Sequence, residues 1–428
     1  MLKYHNKLNN FLQQYIDKYN LVNHDKHSNK LALEIINNSV KYAFENKYNI
    51  KLLKTQKIKK LHSDKEPPLM FLYLREQKIY NNDFKNFIKW YNTHIHNLTI
   101  IKNLYSKIGK IIFEPIEERK LLHSIYDNNF VCIDIHQEIE TNDIIHEKYS
   151  INDTDNIDLF FFDSSEKPNI KVIATIITII KTLSQKNYNV NLIIIFSSHK
   201  KIIKKNTEIL CCNHINSGST YPTQIITCFR KEEFYKVLMH ELIHYYELDF
   251  HFSSKSYVKL ETMLKIPSIK GIDRLNESYT ESLTIIIMSY FTHYYTNFSK
   301  SFEYYLNKEI IFSLFQIAKI LKLFGATKFE DYLDNKIIIK QHTSVRSYFF
   351  IKTFLLLNLN LFFDFLNVSF FVTDDRLIEF GTLINTSYEK ISEYSSIINY
   401  FINIINTQYD DTCDTDTWIY KTSRLSSF

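Results

Sequence analysis

Histidines at 240 and 244 bracket a glutamate at 241 in the segment VLMHELIHYY, an HExxH pentad with uncharged residues on both sides. On a helix the two imidazoles stand one turn apart on one face, where they can share a metal ion. Neutral imidazole suits zinc, and a carboxylate next to the first ligand can take a proton from water and return it to a leaving amine. That is the chemistry of peptide hydrolysis. Phe234, Val237, Leu238, Leu242, Tyr245 and Leu248 recur at helical spacing around the pentad and predict a buried face beside it. Two imidazoles and a carboxylate set among Val, Leu, Met and Ile, with no Asp or Arg beside them, are awkward buried groups unless something binds them.

Two imidazoles do not complete a catalytic zinc site, which takes three protein ligands. Downstream, NESYTE at 276–281 carries Glu277 and Glu281 at i and i+4, so one can bind metal while the other orients a ligating histidine. The competing reading is an ordinary acidic first turn of a helix. His251 is a rival ligand, because HELIHYYELDFH superficially follows the extended metzincin pattern, but Glu247 occupies the glycine position and Phe250 the histidine position. Asp249, five residues after His244, points away from the ligand face unless the helix ends early.

The uncharged-HE-uncharged-H pattern of VLMHELIHYY, followed by NESYTE, resembles the gluzincin metallopeptidases, the group that includes thermolysin and the zinc aminopeptidases. The resemblance covers about residues 170–290. It implies a zincin-like core with one zinc ion per chain, ligands His240, His244 and Glu277, general base Glu241, and Glu281 behind a ligand. It also implies that INSGST, residues Asn216, Ser217, Gly218, Ser219 and Thr220, forms the sheet edge that binds the backbone of a polypeptide substrate. An oxyanion donor in that group is a Tyr, His or Arg after the glutamate helix. HTSVRSYFF offers His342, Arg346 and Tyr348, of which Tyr348 is the preferred candidate. One departure is length: Glu277 lies 277 − 244 = 33 residues beyond the second histidine, so an added loop, HFSSKSYVKLETMLKIPSIKG, is expected. The arrangement also looks like the zincin-like proteins of large DNA viruses. The expected function is therefore a zinc metallopeptidase. The alternative is a catalytically inactive zincin-like scaffold or interaction protein, against which the intact Glu241 argues.

The elements around the pentad read as an α+β chain. Residues 1–60 and 82–108 carry apolar residues at three-to-four spacing and predict a mainly helical N-terminal region, 1–125, interrupted at Pro67-Pro68. The HxH pair His94 and His96 lacks a partner cluster and is assigned to a solvated helix face. In 126–270 the period shortens to strands, FVCIDIH, DLFFFD and VNLIIIFSS, around the helix IKVIATIITIIKTLSQ. Gly218 and Pro222 then mark a turn between two extended pieces that lead into the HExxH helix. Residues 271–428 read as a helical subdomain carrying the third ligand, with Gly325 as a helix C-cap.

Composition narrows the remaining classes. The chain has 428 residues, 45% of them hydrophobic, enough for a large core. Five scattered cysteines give neither a disulfide framework nor a zinc ribbon, which favours a reducing, intracellular, cytoplasmic setting. The N-terminus MLKYHNKLNN is polar, and the most apolar stretch, TFLLLNLNLFFDFLNVSFFV, is broken by Asn358, Asn360 and Asp364, so a soluble protein is expected. A net charge of +5 and the basic runs KTQKIKK and HKKIIKK give no specific nucleic-acid signal. Five Gly and six Pro against 30 Tyr and 33 Phe are the mark of an A+T-rich coding sequence.

Overall fold

The computed structural model describes residues 10–22, 30–58 and 142–408 apart from 252–254, 268–269 and 272, with isolated positions at 131–139 and 424–427. His94, His96 and the expected helix at 82–108 lie outside the described residues. The class is α+β: a mixed six-stranded sheet carries helices that bury most of its apolar surface.

The strands are β1 (Ile50–Ile58), β2 (Ile144–Ile151), β3 (Asp155–Phe161), β4 (Asn191–Ile195), β5 (Gly218–Tyr221) and β6 (Ile225–Cys228), in the order β1-β2-β3-β4-β6-β5. The pairs β3–β4 and β4–β6 are parallel and the others antiparallel. DLFF and NLIII suit the centre because both faces of their strands are covered. Successive side chains alternate sides: Leu159, Phe161, Leu192 and Ile194 join the main core, while Phe160, Ile193 and Ile195 pack on the opposite face with Val131, Ile135 and Ile139.

Five helices build the site's surroundings. They are α1 (Lys30–Glu45), α2 (Ile170–Ser184), α3 (Phe234–Tyr245), α4 (Lys255–Met263) and α5 (Asn276–Tyr295). The Asn169 side chain accepts bonds from the amides of Lys171 and Val172 and so caps α2. Helix α3 packs on β5, β6 and α2 from one side and on α5 from the other. Beyond them α6 (Phe302–Leu323), α7 (Lys352–Leu357), α8 (Leu359–Val368), α9 (Leu377–Glu389) and α10 (Ser395–Gln408) form the helical C-terminal part. Gly325, at φ +89°, follows α6 in the left-handed conformation expected of a C-cap glycine. One apolar cluster runs from Leu12 through Leu238 and Leu283 to Ile405, so the three regions drawn from sequence share a core. No single helix among the described residues is long and apolar enough to cross a membrane. The apolar run at 346–368 is two helical pieces bent by 93°, with Phe354, Leu355, Phe362 and Phe363 buried.

Four local expectations need correction. Residues 50–58 form an edge strand rather than helix, because antiparallel pairing to β2 uses main-chain groups and is indifferent to the lysines, which face outward. Among the described residues of FVCIDIH, Asp134 and Ile135 are helical. They lie on the helical segment that covers the sheet's second face, where apolar residues need no strand period. Gly218 opens β5 rather than marking a turn; the turn is at 222–224, closed by the Gln224 amide donating to the Tyr221 carbonyl (3.0 Å). The expected loop after the pentad contains α4, which packs on α9 through its apolar residues.

Candidate metal centre

Helix α3 is buried nearly all round, because the sheet lies under one side and α5 over the other. His240 and His244 face α5, whose first turn presents Glu277 at the end of the helix that favours an anion. The His240 Nε2 and His244 Nε2 atoms are 3.0 Å apart, and Glu277 Oε2 lies 3.1 Å from the first and 3.2 Å from the second. All three side chains are buried or nearly so.

The other ring nitrogens determine what this triangle means. His240 Nδ1 is 2.9 Å from Glu281 Oε2, and His244 Nδ1 is 2.7 Å from Asp249 Oδ2. A carboxylate only accepts, so each Nδ1 carries the proton and donates it, leaving both Nε2 atoms with lone pairs in the neutral imidazoles. Two lone pairs and a carboxylate oxygen then converge with no hydrogen between them. Such an arrangement is repulsive unless protons or a cation occupy the centre. A tetrahedral zinc with ligands at about 2.0–2.2 Å would hold them roughly 3.3–3.5 Å apart, so the triangle needs to open by only a few tenths of an ångström. The donor set of two imidazoles and one carboxylate also fits zinc chemically.

Charge accounting points the same way. Four carboxylates, Glu241, Glu277, Glu281 and Asp249, surround the two imidazoles, while Lys236, ion-paired with Glu281 Oε1, and Lys352 near the same carboxylate bring positive charge. Burial lowers the His244 pKa, but Asp249 and Glu277 overcome it and hold it well above its ordinary 6.5. His240 is raised in the same way, burial being outweighed by Glu277 and Glu281. Glu277 resists its own burial and stays well below the usual carboxylate range because both imidazoles face it. Glu281, also buried, is held at about 2 by Lys236 and His240. The protein without metal thus draws protons onto its histidines, and a divalent ion would replace them.

Glu241 sits on the sheet side of the centre. Its Oε2 accepts from Thr220 Oγ1 at 2.7 Å, which ties the carboxylate to β5, and burial raises its pKa despite the two histidines. Gly218 is the reason the strand can come so close, since a Cβ there would lie 2.6 Å from Glu241 Oε1. Among the described residues β5 is the last strand of the sheet beyond β6. Gly218, Ser219 and Thr220 belong to this edge. Asn216 and Ser217 precede it, and Asn216 instead binds Thr343 and Arg230 through its side-chain and main-chain oxygens.

Tyr348 is brought to the centre by a π-helical turn, Arg346–Ile351, that widens the start of α7. Its ring lies 6.0 Å from that of His240, and its hydroxyl feels the charge of Glu277 and Glu241. Burial, then the nearby carboxylates, push its pKa well above 10 and keep it a donor. The other two oxyanion candidates are elsewhere. Arg346 binds Asp273 at 2.7 Å and the Pro267 carbonyl at 3.3 Å, and His342 is exposed. His251 is also exposed, beside Glu247.

Sequence reasoning weighed Asp249 only as a rival ligand, conditional on an early helix end, and passed over Lys236. Asp249 reaches His244 because α3 ends at Tyr245 and Glu247, at φ +51°, turns the chain back, with Asn276 Nδ2 fixing the same carboxylate at 2.8 Å. An acid just beyond the second histidine was the available signal. For Lys236 the signal was a lysine one turn before the first histidine on a helix expected to be buried.

The chain is 24% identical over 189 residues to an uncharacterized protein of Acanthamoeba polyphaga mimivirus, a stretch covering 42% of this chain and 48% of that one. The match therefore spans about half the length of that relative. No family model matches the chain, and no solved structure matches it.

Proposed function

We propose that the protein is a zinc-dependent peptidase of gluzincin type, with His240, His244 and Glu277 as the metal ligands. The observation that carries the reading is the convergence of His240 Nε2, His244 Nε2 and Glu277 Oε2 at 3.0–3.2 Å, with each Nδ1 held by a carboxylate. Bound there, zinc supplies Lewis acidity, polarising a carbonyl and making water a stronger acid.

The chain's own groups account for the rest. Glu241 takes the proton of the attacking water and delivers it to the leaving amine, and its raised pKa brings it nearer the working range of a general base. Thr220 limits its rotation. A polypeptide lies in extended form along the outer edge of β5, bonded through its main chain, so that its carbonyl faces the centre. Tyr348 donates to the oxygen that becomes negative in the transition state, and its burial keeps the proton in place.

The test is bound zinc and cleavage of a diverse peptide library by wild type, Glu241→Gln and Tyr348→Phe. Wild type should hold about one zinc and cleave. Glu241→Gln should keep its zinc and lose activity by roughly a hundredfold to ten-thousandfold, and Tyr348→Phe by roughly a hundredfold. Equal cleavage by wild type and Glu241→Gln would remove the peptidase mechanism. Zinc without cleavage in every protein would favour a scaffold.

A further inference from the structure

Lys236 lies in the first turn of α3, four residues ahead of His240, and is only 2% exposed. Two penalties oppose that placement: the positive end of the helix dipole and the loss of water around an ammonium group. What compensates is Glu281, itself fully buried, whose Oε1 pairs with the Lys236 ammonium while its Oε2 lies 2.9 Å from His240 Nδ1. The two oxygens of one carboxylate are thus assigned to two partners on one face of α3. Rotation of Glu281 away from His240 would also break its ion pair.

We infer that Lys236 is a positioning residue for the metal centre, acting on the ligand His240 through Glu281. The inference rests on the zinc reading above and adds to it a residue that touches no ligand. Without the ammonium, buried Glu281 Oε1 loses its charged partner, a cost the protein relieves by turning the carboxylate. That rotation takes the acceptor from the His240 Nδ1 proton and frees the ring to swing or change tautomer. Zinc then binds an imidazole that must first be ordered. Lys352, buried nearby, adds positive charge near Glu281 but lies on another helix.

The experiment uses the full chain and zinc alone as the probe. Zinc affinity is measured by competition with a chromophoric chelator for wild type, Lys236→Met, Lys236→Arg, Glu281→Gln and Lys236→Met/Glu281→Gln. Lys236→Met keeps the apolar stem and loses the charge. It should weaken zinc by about tenfold, while Lys236→Arg stays near wild type. Its effect should largely vanish on the Glu281→Gln background, because the route runs through that carboxylate. The visible absorption of cobalt-loaded Lys236→Met should differ from that of wild type, a change in ligand geometry that mere loss of packing would not cause. If Lys236→Met does not fold, Lys236→Gln replaces it with the same expectation. Wild-type zinc affinity in the folded uncharged variant, or full additivity with Glu281→Gln, overturns the inference while leaving the metal centre intact. A wild type that binds no zinc overturns the proposed function instead.

Discussion

Two clusters of buried charge lie on either side of the start of α3, and they solve the same problem in opposite ways. Around His240 and His244, carboxylates outnumber cations. Behind them, where Lys201 pairs with Glu233 and Ser427 bonds to Glu309, buried lysines gather: Lys201 and Lys319 face Glu232, Lys308 faces Glu309, and Lys352 lies between this group and Glu281. Burial lowers Lys308 and Lys352 to about 8 and Lys319 to about 7, so this cluster sheds charge by giving up protons near neutral pH. The acidic cluster behaves differently. Glu277 and Glu281 are held ionised by the imidazoles and by Lys236, so their negative charge persists until protons or a metal fill the centre. Burial of charge alone therefore does not single out a candidate metal site; what sets the acidic cluster apart is the convergence of its ligand atoms.

The comparison breaks first at the ligands. His240→Ala, His244→Ala or Glu277→Ala should each lower zinc affinity by roughly a thousandfold or more, read by chelator competition. Full zinc content in any of them would place the acidic cluster in the same class as the basic one. The next largest effect tests the place of Asp249. Asp249→Ala should weaken zinc by roughly tenfold to a hundredfold, as should Glu281→Ala, because each frees the Nδ1 proton of one ligand histidine. A loss at Asp249 as severe as at Glu277 would make it a ligand after all.

Acidity separates the clusters more gently. An imidazole held above its ordinary value adds stability that is complete below 6.5 and is lost as pH rises through the raised value. Glu277, held below its ordinary value, adds stability that is complete above 4.5 and is lost as pH falls through the lowered value. In chelated protein these two terms favour the interval between those values, while Lys308, Lys319 and Lys352, held below their ordinary 10.5, add stability as pH rises, so the centre's share is read as the Tm difference between wild type and Glu277→Gln at each pH. Zinc requires neutral imidazoles, so loading should move the optimum upward. A Tm advantage of wild type over Glu277→Gln that grows steadily from pH 6.5 to pH 8 would contradict the assignment of protons to the centre. The smallest effect is expected in the basic cluster. Lys319→Met should leave zinc affinity unchanged and Tm unchanged or slightly higher, since a lysine near its pKa in an apolar setting is replaced by a chain of similar volume. A marked drop in zinc affinity would show that the two clusters communicate.

Much of the site was legible because its parts repeat over short distances. The pentad fixes two imidazoles one helical turn apart and puts Glu241 beside them. The i, i+4 spacing of Glu277 and Glu281 likewise sends both toward one neighbour. Asp249 was weighed only as a ligand, and its contact with His244 Nδ1 depends on the helix ending at Tyr245, which local sequence left open. Tyr348, more than a hundred residues from the pentad, could be named only as a preferred member of a cluster. Gly218 was expected on the sheet edge, but the reason no side chain fits there is visible only with Glu241 pressed against it. The strand at 50–58 escaped because edge pairing reads main chain, and its side chains carry little alternation.

By itself the sequence determined the α+β class, the buried helix with its paired imidazoles, and the acidic turn able to complete them, since each follows from residue type and local period. The tertiary structure decided which carboxylate meets which nitrogen: Glu277 between the two Nε2 atoms, Glu281 on one Nδ1 and Asp249 on the other. It also decided that Lys236 is buried against Glu281 and that a π turn aims Tyr348 at the centre. Hydrogen bonds and ion pairs act over a few ångströms in space, and only the packing of α3 against α5 and β5 brings groups tens of residues apart within that reach.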